Sequence, residues 1–159
     1  MRTGEVVKLV VSLAAPLAAG MVSALAGSAA ASGWYDSLRK PVFTPPAWLF
    51  GPAWTALYLL MGVAAFLVWR TGFDSPGVKL ALAVFLIQLI LNALWSVFFF
   101  GLRSPLAGLV DIAALWLAIV ATIVLFFRVS TVAGFMLLPY IGWVTFAAIL
   151  NAAILVLNR

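Results

Sequence analysis

Five apolar runs, each close to the 20 residues that an α-helix needs to cross a bilayer, leave this chain few ways to fold. They cover residues 5–27, 47–69, 78–100, 105–127 and 131–157. Hydrocarbon offers no water to the backbone, so each run must satisfy its own N–H and C=O groups, which a helix does. Charged residues make up 8% of the chain, against about 25% in soluble domains. The expectation is an all-α integral membrane protein, multi-pass, with a five-transmembrane-helix bundle. It forms a single transmembrane domain over residues 1–159, with short connections everywhere except between helices 1 and 2.

The first run follows Arg2 and Lys8 and ends in Ser28-Ala29-Ala30-Ala31, a pattern shared with secretory leaders. Its apolar part, from Leu9 to Ala26, exceeds the usual 7–15 residues of a leader, so it is read as a retained span. Ala15-x-x-x-Ala19 and Gly20-x-x-x-Ala24 place small residues on adjacent stripes, which lets helix backbones approach closely in lipid. That closeness serves either packing within the monomer or a homodimer seam.

Between the first two runs lies a stretch rich in Trp and Pro, from Trp34 to Tyr58. Residues 28–45 are too polar and too broken by proline to span. Trp34 to Lys40 suits a short amphipathic turn at the interface, where Trp and Tyr are favoured. Pro41, Pro45 and Pro46 stiffen the return, with Pro46 expected in the first turn of the second helix and Thr44 or a neighbour as its cap. Further on, Ser104-Pro105 reads as a cap followed by an N1 proline, and Pro139 is expected to tilt the segment before it.

The nine Lys and Arg residues mostly flank the runs. Anchoring of helix ends explains them better than a nucleic-acid surface does. One side of the membrane collects Arg2, Lys8, Arg70, Lys79 and Arg128, the other Arg39, Lys40, Arg103 and Arg159, a split too even to orient the chain. The sequence has no Cys and no His. This excludes the commonest zinc sites, Cys and Ser–His nucleophile pairs, and His or Cys ligation of haem iron.

Polar groups at membrane depth mark function by default. Gln88 and Asn92 lie one turn apart on the third span, and Trp95 and Phe99 continue their face. In the fifth span Tyr140, Trp143, Ala147 and Asn151 share a face, and in the second Phe50, Trp54, Leu57, Tyr58 and Met61 do. Three aromatic faces imply a common aromatic-lined cavity, with the amides either walling it or acting as hydrogen-bonded glue between helices. Asp111, six residues beyond Pro105, is the acid placed well inside a span. It is expected to pair with Arg103 or to accept backbone N–H groups.

These residues resemble the translocator protein or tryptophan-rich sensory protein family, also called peripheral benzodiazepine receptors. The resemblance runs from Trp34-Tyr35 and Lys40-Pro41 to Pro45-Pro46, then through Phe50-Gly51-Pro52-x-Trp54-Thr55-x-x-Tyr58 and Gln88-x-x-x-Asn92-x-x-Trp95. It continues with Asp111 and closes with Pro139-Tyr140-x-x-Trp143 and Leu150-Asn151. It implies a five-helix bundle, commonly a homodimer, with a ligand pocket beneath the first loop. It also implies binding of porphyrins such as protoporphyrin IX and haem, and of benzodiazepine-type ligands. The family's pocket residues carry onto Trp34, Tyr35, Pro45, Trp54, Asn92, Trp95, Trp143 and Ala147. Tyr58, Gln88, Phe99 and Tyr140 join them from the face analysis. Sterol binding, attributed to animal members through a C-terminal pattern with Tyr, is not implied, because Leu155 to Arg159 lacks one.

The leading function is therefore a ligand-binding membrane protein that senses, sequesters or moves a tetrapyrrole, with no obligatory cofactor and no metal site. Its expected partners are a porphyrin or other flat apolar molecule, membrane lipid and a second copy of itself, with no nucleic acid. The alternatives are an enzyme that degrades porphyrin under light and oxygen, with Trp54 and Trp143 as its catalytic residues, and a transporter or channel.

Overall fold

The computed structural model describes residues 3–31 and 33–159, with the side chains of residues 28–31 left aside. The Arg2 anchor lies outside the described residues. Among the described residues seven α-helices follow in order: α1 (Thr3–Ala31), α2 (Trp34–Ser37), α3 (Ala47–Arg70), α4 (Val78–Ser96), α5 (Pro105–Val129), α6 (Thr131–Met136) and α7 (Leu138–Leu157). A π-helical turn, Val97–Gly101, extends α4. Five segments are long and apolar enough to cross a membrane, with α4 plus its π-turn forming one and α6 with α7 another. This is a multi-pass, all-helical membrane protein.

The helices close into a ring. α1 packs on α3 and α4, α4 on α5, α5 on α7, and α6 returns to α3. The spans thus follow one another around the bundle in the order first, second, fifth, fourth, third. Consecutive spans run antiparallel, so residues 33–46, the turn at residues 102–104 and the end of α7 share one side of the membrane.

Local chemistry explains where the helices stop. Ser104 caps α5, its Oγ accepting from the Ala107 N–H at 3.1 Å, with Pro105 in the first turn as expected. Ser130 ends α5 through its N–H to the Phe126 carbonyl at 2.7 Å and starts α6 by accepting from the Ala133 N–H at 3.4 Å. Pro139 cannot donate a backbone hydrogen bond, and the fifth span breaks before it, at Leu137. The first span ends at Gly27 as expected, though its helix continues to Ala31. One sequence expectation needs correction here. Pro46 is the N-cap of α3, and Thr44 does not cap it, because its hydroxyl turns back to the Pro41 carbonyl at 2.7 Å.

Three of the four stripe residues of α1, Ala15, Ala19 and Gly20, act inside the monomer, and Ala24 is exposed. Ala15 and Ala19 pack on the main core, and a Cβ on Gly20 would run into the Tyr58 ring. On the facing helix, a Cβ on Gly62 would come within 2.8 Å of Leu13 Cα and 2.9 Å of the Ser12 carbonyl, so the α1 and α3 backbones are nearly in contact.

Candidate functional site

Four polar side chains meet in the middle of the ring. Tyr58 on α3 donates to Asn92 Oδ1 at 2.7 Å, Asn92 Nδ2 donates to the Tyr140 hydroxyl at 3.1 Å, and that hydroxyl donates to Gln88 Oε1 at 2.7 Å. Gln88 Nε2 ends the chain on the Met61 sulfur at 3.9 Å. All four polar residues are buried, Gln88 and Tyr140 to 1% exposure. Gln88 and Asn92 sit one turn apart on α4, so both amides reach the Tyr140 phenol, and Asn92 reaches Tyr58 as well. In low dielectric such a chain is strong when complete and costly when a member is lost. The amides join three spans, and this is where the sequence put them.

Aromatic rings line the space toward α2. Trp54 stacks on Tyr58 at 5.4 Å between centroids and meets Tyr140 edge-on at 6.3 Å. Trp95 stacks on Phe99 at 5.1 Å, and Trp34 crosses Phe99 at 5.7 Å. Tyr35 touches Phe99 and Phe100 at 6.2 and 5.5 Å. Phe50 meets Trp143 at 5.9 Å, Trp143 leans on Phe146 at 5.8 Å, and Phe43 of the proline segment reaches Phe146 at 6.4 Å. Of the predicted residues, Trp54, Tyr58, Gln88, Asn92 and Tyr140 thus form one group and Trp34, Tyr35, Trp95 and Phe99 a second, with Trp143 in a third beside Phe50; Trp95 packs on both the main core and the smaller core around Phe99. Ala147 packs on the main core, and Pro45 is half-buried in the proline segment. The rings pack face to face and edge to face on one another. Two hollows, of about 370 and 410 Å³, lie elsewhere, on the outer side of α5.

Three features escaped the sequence reading. The first is the π-turn, which closes on a Leu102 N–H to Val97 carbonyl bond of 2.8 Å. Its wider register brings the neighbours Phe99 and Phe100 both to the rings of α2. The second is the role of Asn151, whose Oδ1 accepts from the Trp95 indole at 3.1 Å and whose Nδ2 donates to the Pro105 carbonyl at 2.7 Å. The third is Asn158, whose side-chain amide accepts the Arg39 N–H and donates to the Arg39 carbonyl, both at 2.9 Å. This bracket ties the loop to the end of α7. The signal was present: Asn158 follows Asn151 by seven residues, two turns along one face.

α2 carries the charge. Lys40 sits over the Tyr35 ring, 4.4 Å from its centroid, and 3.8 Å from Asp36. Burial raises the Tyr35 phenol above its usual pKa of 10.0, and the Asp36 carboxylate raises it further. Asp111 departs from expectation. It is 6% exposed and forms no pair with Arg103; among the described residues the ion pairs are Lys40–Asp36 and Lys79–Asp74. The Trp143 indole nitrogen is sealed without a hydrogen-bond partner.

Fold and cluster together define a small five-span helical membrane protein, built around amides and aromatic rings beneath a short interfacial helix. The TspO/MBR family model matches residues 12–157, and the chain belongs to that family. It is 49% identical over 155 residues to the tryptophan-rich protein TspO of Archaeoglobus fulgidus, covering 97% of this chain and 99% of that protein. The TspO of Chlorobaculum tepidum is 45% identical over 154 residues, covering 97% of this chain and 98% of its own length. The translocator protein of Homo sapiens is 40% identical over 120 residues, 74% of this chain and 70% of that one.

Proposed function

We propose that this protein binds a flat tetrapyrrole of the protoporphyrin IX or haem kind, and benzodiazepine-type ligands, among α3, α4 and α7 beneath α2. Its role is to sense, sequester or move that ligand. The observation that carries the reading is that Trp54, Trp95 and Trp143, three indoles from three spans, all pack against the core that holds Tyr58 and Tyr140, with Trp54 edge-on to Tyr140 at 6.3 Å. Flat rings are held by stacking and edge contact. Because the rings now pack on each other, a macrocycle enters by exchanging protein ring contacts for its own, taking Trp54 from Tyr58 and Trp95 from Phe99. The unpartnered Trp143 N–H supplies a donor for a polar edge of the ligand.

With neither His nor Cys in the sequence, stacking and hydrogen bonds hold the ring, and the metal-free macrocycle and haem bind comparably. Quenching of Trp fluorescence by protoporphyrin IX tests this. Trp54→Phe, Trp143→Phe and Asn92→Ala are each expected to weaken binding about fivefold or more, the worth of one lost stacking or hydrogen-bonding contact. Unchanged affinity in all three removes the assignment.

The partnerless Trp143 N–H also favours a second reading, in which a pocket indole gives one electron to light-excited porphyrin, the reduced ring passes it to oxygen as superoxide, and the ring then returns an electron to the indole radical and takes up the superoxide oxygen. Products formed on illumination of wild type and Trp143→Phe decide it: identical products at equal rates leave Trp143 no catalytic part. The homodimer belongs to this proposal as well. It is assigned to the lipid-facing surface, because Ala15 and Ala19 are already used inside the monomer.

A further inference from the structure

We propose a second, separate site on the lipid-facing side of α5, built around Asp111, that takes a lipophilic amine: an apolar molecule carrying one cationic nitrogen. Asp111 borders a hollow of about 410 Å³ walled by Phe98, Ala107, Val110 and Ala114. Its Oδ2 is sealed from the surface and has no hydrogen-bond partner. The same face of α5 presents Leu106 and Val110 at 57% and 67% exposure, so the hollow opens to the bilayer rather than to the aromatic cluster.

A carboxylate in such a place lacks what buried charges require, an opposite charge or a full set of donors. Arg103, the basic residue at the start of this helix, is exposed and forms no pair with it. An ammonium group would supply both the missing charge and a charge-assisted hydrogen bond, while the walls accept a hydrocarbon body. Depth fits as well. Asp111 lies six residues past Pro105, about 9 Å along the helix, within reach of a head group at the interface whose tail follows α5 inward. A fatty acid would meet a like charge, and an alcohol would donate a hydrogen bond without supplying the missing positive charge.

The test uses the full chain in phosphatidylcholine proteoliposomes with spin-labelled octadecylamine, and octadecanol labelled at the same carbon. Electron paramagnetic resonance reads the fraction held at the protein. Wild type is expected to prefer the amine over the alcohol by roughly tenfold, the fold-change contributed by the ammonium charge that the alcohol lacks. Asp111→Asn, nearly the same shape without the charge, should abolish that preference. Ala114→Phe, which fills the hollow and keeps the carboxylate, should weaken retention of the amine. Equal retention of amine and alcohol by wild type overturns the proposal, as does an amine preference that survives in Asp111→Asn. If Asp111→Asn does not fold, Ala114→Phe decides, and unchanged amine retention there overturns the proposal. None of these readouts depends on tetrapyrrole binding.

Discussion

Tyr140 is the residue on which the centre of the bundle turns. Its hydroxyl accepts from Asn92 and donates to Gln88 in one place. Tyr140→Phe keeps the ring against Trp54 but leaves an amide N–H and an amide oxygen unpaired. A destabilisation of about 1–2 kcal/mol is expected, read as a lower thermal midpoint in detergent. At the interface the prediction concerns pH. The Tyr35 phenol titrates above its usual value because burial, and then Asp36, disfavour the phenolate. Its folded pKa is raised, so its contribution to stability is complete below the unfolded value and is lost as pH climbs through the folded one. Asp36→Asn should lower the titration of Tyr35, measured as the ultraviolet phenolate signal that Tyr35→Phe removes. No movement would leave burial as the whole cause.

Among the elements, α2 with its flanking loop is set by three contacts: its rings on Phe99 and Phe100, Lys40 over Tyr35, and the Asn158 bracket on Arg39. The bracket matters because an extended segment with prolines has few backbone partners of its own. Asn158→Ala is expected to raise amide exchange across residues 34–40 by about tenfold, the worth of the two hydrogen bonds less what water restores. The helix in contact with them, α7, should be unchanged above its last turn. The π-turn after α4 is an element of the same kind. Nothing in Val97-Phe98-Phe99-Phe100-Gly101 announces a wider helix; the demand comes from two neighbouring rings that both find partners in α2.

At the scale of the molecule, the ring of spans closes because α1 lies almost backbone to backbone on α3. Gly62→Leu should force Leu13 and Ser12 away and cost about 1–3 kcal/mol, seen as a lower thermal midpoint. Gly142→Leu is the control, because a Cβ there meets nothing within 4 Å. The five spans, the Ser104 cap and the shared faces of Gln88 with Asn92 and of Tyr140 with Trp143 were legible in the chain alone. Hydrophobic length and helical period are local quantities, written in consecutive residues. The mutual packing of the aromatic rings, the solitary state of Asp111 and the hold of Asn158 on Arg39 were not. They depend on which helix stands beside which, and 119 residues separate the last pair. Sequence by itself determined that this chain crosses a membrane five times with Gln88, Asn92 and the indoles of Trp54, Trp95 and Trp143 on inward faces. Only the tertiary structure decided which of them satisfy one another and which are left with a free valence, because pairing is a property of two surfaces brought together.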